Sequence, residues 1–104
     1  MDFTDFTEAD KEKIVSDMCR MIQCRTVSNI DDSLVDWDEF EKFRTLLKEI
    51  FPNIYSVCEF FRVGKSGIVH KIKGTDPDSN HAVVLMAHYD VVPAEKEKWT
   101  FEPF

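Results

Sequence analysis

Ala82-Val83-Val84-Leu85-Met86-Ala87-His88-Tyr89-Asp90-Val91-Val92-Pro93 begins as an uninterrupted apolar run and ends in two residues able to do metal chemistry. A Val- and Leu-rich run of this length predicts a strand buried on both faces. Side chains alternate along a strand, so His88 and Asp90 leave its C-terminal end on one face, behind Ala82, Val84 and Met86. Ligands in open α/β sheets bind where strands deliver their C-terminal ends. A His there can bind a metal through one ring nitrogen. A carboxylate two residues on can accept the proton of the other nitrogen and fix the tautomer.

The chain around this stretch has 104 residues, 43% of them hydrophobic and 32% charged, which is a globular composition. Its net charge of −7 argues against a nucleic-acid partner, which needs a basic patch, and offers no polybasic signal for a membrane surface. No apolar segment reaches the length of a membrane span. The start, Met1-Asp2-Phe3-Thr4-Asp5, lacks the basic and apolar regions of a signal peptide. Cys19, Cys24 and Cys58 are an odd, sparse set without a Cys-x-x-Cys pair, read as reduced thiols in a cytoplasmic protein.

Upstream, residues 1–6 read as a loosely held arm. Thr7 reads as a helix N-cap, with Glu8 and Asp10 in the first turn. Ile14, Val15, Met18, Cys19, Met21 and Ile22 recur at helical spacing, predicting a helix over 8–24 with this stripe in the core. A polar loop over 29–33 precedes a second helix over 36–51, striped by Trp37, Phe40, Phe43, Leu47, Ile50 and Phe51 and stopped by Pro52-Asn53. The run Asp31, Asp32, Asp36, Asp38 lacks the Gly and terminal Glu of a calcium loop. Ile54–Val63 and Ile68–Lys73 read as strands joined in a hairpin across Gly64-Lys65-Ser66-Gly67. The order helix, helix, strand, strand, strand predicts an α/β layer with the last strand central. Beyond Pro93 come a charged loop and Trp99-Thr100-Phe101-Glu102-Pro103-Phe104, whose aromatics need something to pack against.

His88 and Asp90 are one good ligand and one orienting carboxylate, whereas a zinc site needs three or four protein ligands. His70 sits in the hairpin. His81 lies seven strand residues from His88, about 23 Å away at ordinary rise, too far to share a metal. Gly64-Lys65-Ser66 lacks the spacer and earlier Gly of a phosphate loop, and a Ser-His-Asp triad has no marked nucleophile. The residues alone leave a buried hydrogen-bonded His–Asp pair open beside a metal ligand.

Val83–Ala94, with Trp99 and Pro103-Phe104 downstream, resembles the first signature of metallopeptidase family twenty. That family holds dinuclear zinc exopeptidases and amidohydrolases, among them aminoacylase, carboxypeptidase G, carboxypeptidase S and the succinyl-diaminopimelate desuccinylases. The block His88-Tyr89-Asp90-Val91-Val92-Pro93-Ala94 most resembles the carboxypeptidase S and N-acyl-amino-acid hydrolase branch. Phe51-Pro52 after a helix and the Thr26-Val27-Ser28 turn also fit.

The resemblance implies that His88 ligates one of two zinc ions and that Asp90 is the active-site Asp bonded to it. It also implies that the metals polarise an amide carbonyl and activate a water. The substrate implied is a small peptide or an N-acyl amino acid. The family's general-base Glu, its other ligands and its lid or dimerisation domain lie downstream of the matching region. Residues 1–104 are therefore expected to form a single incomplete domain: the N-terminal part of a zinc-exopeptidase-like catalytic domain, α/β, two helices followed by a three-stranded portion of a mixed sheet. The remainder of the same chain and, at full length, a second copy are the implied partners. The expectation is a hydrolase parent and an inactive 104-residue piece. The competing reading is a non-catalytic α/β interaction module that keeps the strand without the metal.

Overall fold

The computed structural model describes residues 6–104, so the expected arm over residues 1–6 lies, but for Phe6, outside the described residues. Helix α1, Glu8–Ile22, starts at the expected cap. Thr7 Oγ1 accepts the Asp10 N–H at 3.2 Å, and Asp10 Oδ2 accepts the Thr7 N–H at 2.9 Å. Two of the amide donors left open at a helix start are thereby satisfied reciprocally. The stripe expected in the core is not there. None of the residues of α1 is buried, and Ile14, Val15, Met18 and Ile22 are all exposed. Helix α2 covers one flank of α1, tied to it by Arg20 and Glu49 at 2.6 Å. Nothing among the described residues forms the second layer that the stripe would face.

Helix α2, Trp37–Ile50, turns Phe40, Arg44 and Ile50 inward. The acid run before it has local work. Asp31 accepts the Ser33 N–H at 2.9 Å and caps the short 3₁₀ turn Asp32–Leu34, and Asp36 accepts the Asp38 N–H at 3.1 Å and caps α2. Asp32 pairs with Lys65 of the hairpin turn at 2.9 Å.

Pro52 begins an element rather than only ending one. Helix α3, Pro52–Val57, replaces the first half of the strand expected over Ile54–Val63. Proline suits a first helical position because its missing N–H has no partner there to lose, and its φ is already helical. Strand β1, Glu59–Val63, then pairs antiparallel with β2, Gly67–Lys71, bringing Phe60 opposite His70 and Arg62 opposite Ile68. The expected hairpin forms, with shorter arms. Gly64 at φ +59 takes the left-handed turn position, and a Cβ on Gly67 would lie 2.5 Å from the Val63 carbonyl oxygen. Tyr55 of α3 packs on one face of the hairpin, its ring centroid 4.7 Å from that of His70 and 5.6 Å from that of Phe60.

The third strand is the main departure. Ala82–Val92 joins no sheet, so the described sheet is two-stranded and antiparallel, not a three-stranded portion of a mixed sheet. Its one strand-like pairing is a parallel bridge between Val27 and Val91. There Val91 donates to Thr26 O at 2.9 Å, and Ser28 donates to Val91 O at 3.0 Å. The expectation of burial on both faces is overturned: Val83, Val84, Leu85 and Met86 are 88%, 75%, 92% and 90% exposed. An apolar run codes for burial, but burial needs neighbours on both edges and faces. None of the described elements lies along this segment. Phe104 tucks beneath the Arg25 guanidinium, 5.8 Å from ring centre to Cζ, while Trp99 and Phe101 are exposed.

Among the described residues the buried ones are correspondingly few: Cys24, Val35, Phe40 and Ile50, with Thr26 and Arg44 as buried polar members. The radius of gyration is 17.0 Å, against about 13 Å for a compact domain of this length. All three cysteines are free thiols. No described helix is long and apolar enough to cross a membrane.

Candidate metal corner

The segment Ala87–Val91 reaches the helices through its backbone and through one side chain. Thr26, buried at 2% exposure, donates its hydroxyl to the Tyr89 carbonyl at 2.6 Å. Together with the Thr26–Val91–Ser28 backbone bonds, this seats the end of the segment against the turn that follows α1. Tyr89 stacks on Phe43 at 4.8 Å and 13° and meets Phe40 edge-on at 5.6 Å. With Tyr89 committed to α2, alternation leaves His88 and Asp90 on the other side.

The structure brings those two residues together. His88 Nδ1 lies 3.0 Å from the Asp90 carbonyl oxygen and 3.2 Å from Asp90 Oδ1. A carbonyl and an ionised carboxylate can only accept, so Nδ1 carries the proton and Nε2 keeps its lone pair. The His88 side chain is 87% exposed, which leaves Nε2 open to a ligand-hungry ion. The Asp90 carboxyl is held below the ordinary carboxylate range. A hydrogen bond from the Ser28 hydroxyl is the main cause; slight burial opposes it, and the His88 contact adds to it.

Both residues line a cleft of about 380 Å³. Ser28 and Asn29 form one side, Trp37 and Phe40 of α2 another, and the hairpin turn at Ser66–Ile68 a third. A larger hollow of about 580 Å³ between α1 and α2, lined by Arg20, Cys24, Glu41 and Lys42 among others, contains neither residue. The smaller cleft is the one with the chemistry of a site: an apolar wall with a few convergent polar groups.

The other histidines stay apart. His70 packs against Tyr55 and Phe60, and His81 is exposed on the chain leading to the apolar run. Among the described residues no three His, Cys, Asp or Glu side chains converge as a metal site would require. The donor set therefore fits one ligand and its orienting carboxylate. Periodicity did not mark Arg44, Tyr89 or Ser28 as parts of the site. Thr26 and Ser28 stood out only through the resemblance, and Tyr89 only as the residue between two others. The signal available in the sequence was alternation itself, which puts Tyr89 on the face opposite His88.

Over 81 residues the chain is 36% identical to "Probable carboxypeptidase S-like 1" of Dictyostelium discoideum, covering 77% of this chain and 16% of that protein. Over 71 residues it is 34% identical to carboxypeptidase S of Saccharomyces cerevisiae, covering 65% of this chain and 12% of the relative. Over 101 residues it is 32% identical to an N-fatty-acyl-amino acid synthase/hydrolase of Mus musculus, covering 95% and 20%. The chain thus spans between 12% and 20% of the length of these relatives. No family model and no solved structure matches it.

Proposed function

We propose that this chain, which belongs to metallopeptidase family twenty with the carboxypeptidase S-like proteins and the N-fatty-acyl-amino acid synthase/hydrolases, supplies one corner of a zinc centre that hydrolyses amide bonds of peptides or N-acyl amino acids. The observation that carries this reading is the His88–Asp90 geometry. Two acceptors on Nδ1 leave Nε2 unprotonated and exposed at the rim of a cleft.

His88 would hold the ion through Nε2. Asp90 keeps the ring in the required tautomer and, as an anion, raises the basicity of the ligating nitrogen. Ser28 lowers the Asp90 pKa further below the ordinary carboxylate range. Zinc, when bound, supplies carbonyl polarisation and a water acidic enough to ionise near neutral pH. Trp37 and Phe40 supply the apolar wall of the cleft beside the pair.

The test has two arms. In a longer polypeptide containing this chain, hydrolysis of N-acyl amino acids or dipeptides is expected, lost on chelation and in His88→Ala. The 104-residue chain alone is expected to bind zinc weakly and to hydrolyse neither substrate above background, because the described residues offer no three-ligand set. Chelator-sensitive turnover by the short chain, abolished by His88→Ala, would overturn the second statement. A longer protein with full activity after His88→Ala would overturn the first.

The exposed run Val83–Met86 favours a second reading, an interaction module without a metal. Absence of zinc from the intact purified protein would select it.

A further inference from the structure

The bonds that tie the backbone of the site segment to the turn after α1, two from backbone and one from the Thr26 hydroxyl, all lie between Thr26–Ser28 and Tyr89–Val91. A strand held along one edge can still roll about its long axis, and rolling would swing His88 and Asp90 out of the cleft. The contacts on the opposite face stop it. The Tyr89 hydroxyl donates to the Ser66 carbonyl in the hairpin turn and accepts from Arg44 Nη1 at 3.2 Å. The same Nη1 donates to the Lys65 carbonyl at 3.1 Å. Arg44 Nη2 and Nε both reach Glu41 Oε2, at 2.7 and 3.2 Å, and the other Glu41 oxygen takes Arg62 of β1 at 2.6 Å.

Arg44 is 6% exposed, an unusual place for a charge unless every donor is used. Here its donors join α2, the hairpin turn and the phenol between the two site residues. A planar guanidinium fork can serve these acceptors at once; a lysine ammonium is a compact point charge and cannot reach them in the same way.

We propose that Arg44 and Tyr89 are positioning residues: a latch from α2 across the hairpin turn that fixes the roll of the Ala87–Val91 segment and so aims His88 and Asp90 into the cleft. This rests on the reading of His88 as a ligand held by Asp90, and it adds the element that sets the aim. Arg44 does not line the cleft, and Tyr89, which borders it, acts here through its hydroxyl on the hairpin turn. Tyr89→Phe removes the hydroxyl but keeps the ring on Phe43, and is the mild disruption. Arg44→Lys keeps the charge and loses the fork.

The experiment is nitrogen-15 NMR of the 104-residue chain at about pH 8, where imidazole is neutral. It reads the His88 tautomer ratio together with backbone order parameters for Ala87–Val91. The parent chain is expected to show His88 mainly as the Nδ1–H form and an ordered segment. In Tyr89→Phe the Nδ1–H form is expected to persist, because the His88–Asp90 bonds lie within the segment and move with it. Order parameters over Ala87–Val91 should drop from about 0.85 towards 0.6, with those of α2 unchanged. Arg44→Lys should follow in the same direction; if it melts α2, Tyr89→Phe decides alone. Unchanged order parameters in Tyr89→Phe would overturn the latch. A parent chain without the Nδ1–H form would instead overturn the reading of His88, and the order parameters would still decide the latch.

Discussion

At the scale of single residues, the contacts that matter most are short-range charges placed where backbone groups need them. Glu39 is an instance away from the cleft. Its Oε2 accepts the Arg25 N–H at 2.7 Å and lies 3.2 Å from Lys42 Nζ. The bond from Arg25 is the main reason its carboxyl titrates below the ordinary glutamate value, with Lys42 adding to the effect against slight burial. A carboxyl whose pKa is lower folded than unfolded contributes stability above the unfolded value of about 4.3 and loses it as pH falls through the folded value. Glu39→Gln is therefore expected to flatten the acid limb of stability between about pH 5 and 3, followed by urea unfolding at stepped pH. Glu39→Ala should cost about 1 to 2 kcal/mol at neutral pH by removing an acceptor for a backbone donor. The His88–Asp90 pair was legible at this scale because two-residue alternation is built into a strand. The influence of Ser28 on Asp90 was not, because the two are far apart in sequence and are brought near each other by the Val27–Val91 bridge.

At the scale of elements, local chemistry decides where each piece begins and turns. Thr7 and Asp10 start α1 as their types predict, and Thr7→Ala is expected to lower helix stability by about 1 kcal/mol, read as lost helicity by circular dichroism. Gly64 sits at φ +59, so Gly64→Val should destabilise the hairpin by about 1 to 2 kcal/mol in urea unfolding. Gly64→Asn should be milder, because asparagine tolerates that region. Pro52 shows why reading only the break misleads. The proline read as stopping α2 is the first residue of α3, and the first half of the expected strand, with Tyr55 and Val57, sits on that short helix.

At the scale of the molecule, the chain lays out more apolar surface than it covers. Its accessible area is 9049 Å², against about 6,000 Å² for a compact monomer of its mass. The excess gathers on Val83–Met86 and on the α1 stripe of Ile14, Val15, Met18 and Ile22. Exposed patches of this kind drive association. An unpaired, uncharged, β-prone segment also offers an open edge for another strand. The 104-residue chain is expected to self-associate with rising concentration in sedimentation velocity and to bind a hydrophobic dye. Leu85→Lys should reduce both without moving the helical signal, because Leu85 contributes nothing to the buried set. Association unchanged by Leu85→Lys would place the adhesive surface elsewhere, with the α1 stripe next to be tested.

The sequence by itself determined what near neighbours along the chain decide: the cap of α1, the hairpin and its glycine, and the shared face of His88 and Asp90. It also coded Ala82–Met86 for burial, and the tertiary structure alone showed that no described element supplies it. Helix spacing marked the α1 stripe in the same way, and its missing layer was equally beyond local reading. The aim of the proposed metal corner belongs to the tertiary level too. Arg44, the hairpin carbonyls and Tyr89 are separated by between 21 and 45 residues where they meet. Periodicity reports which face a side chain takes on its own element; it carries no record of which distant group closes over that face.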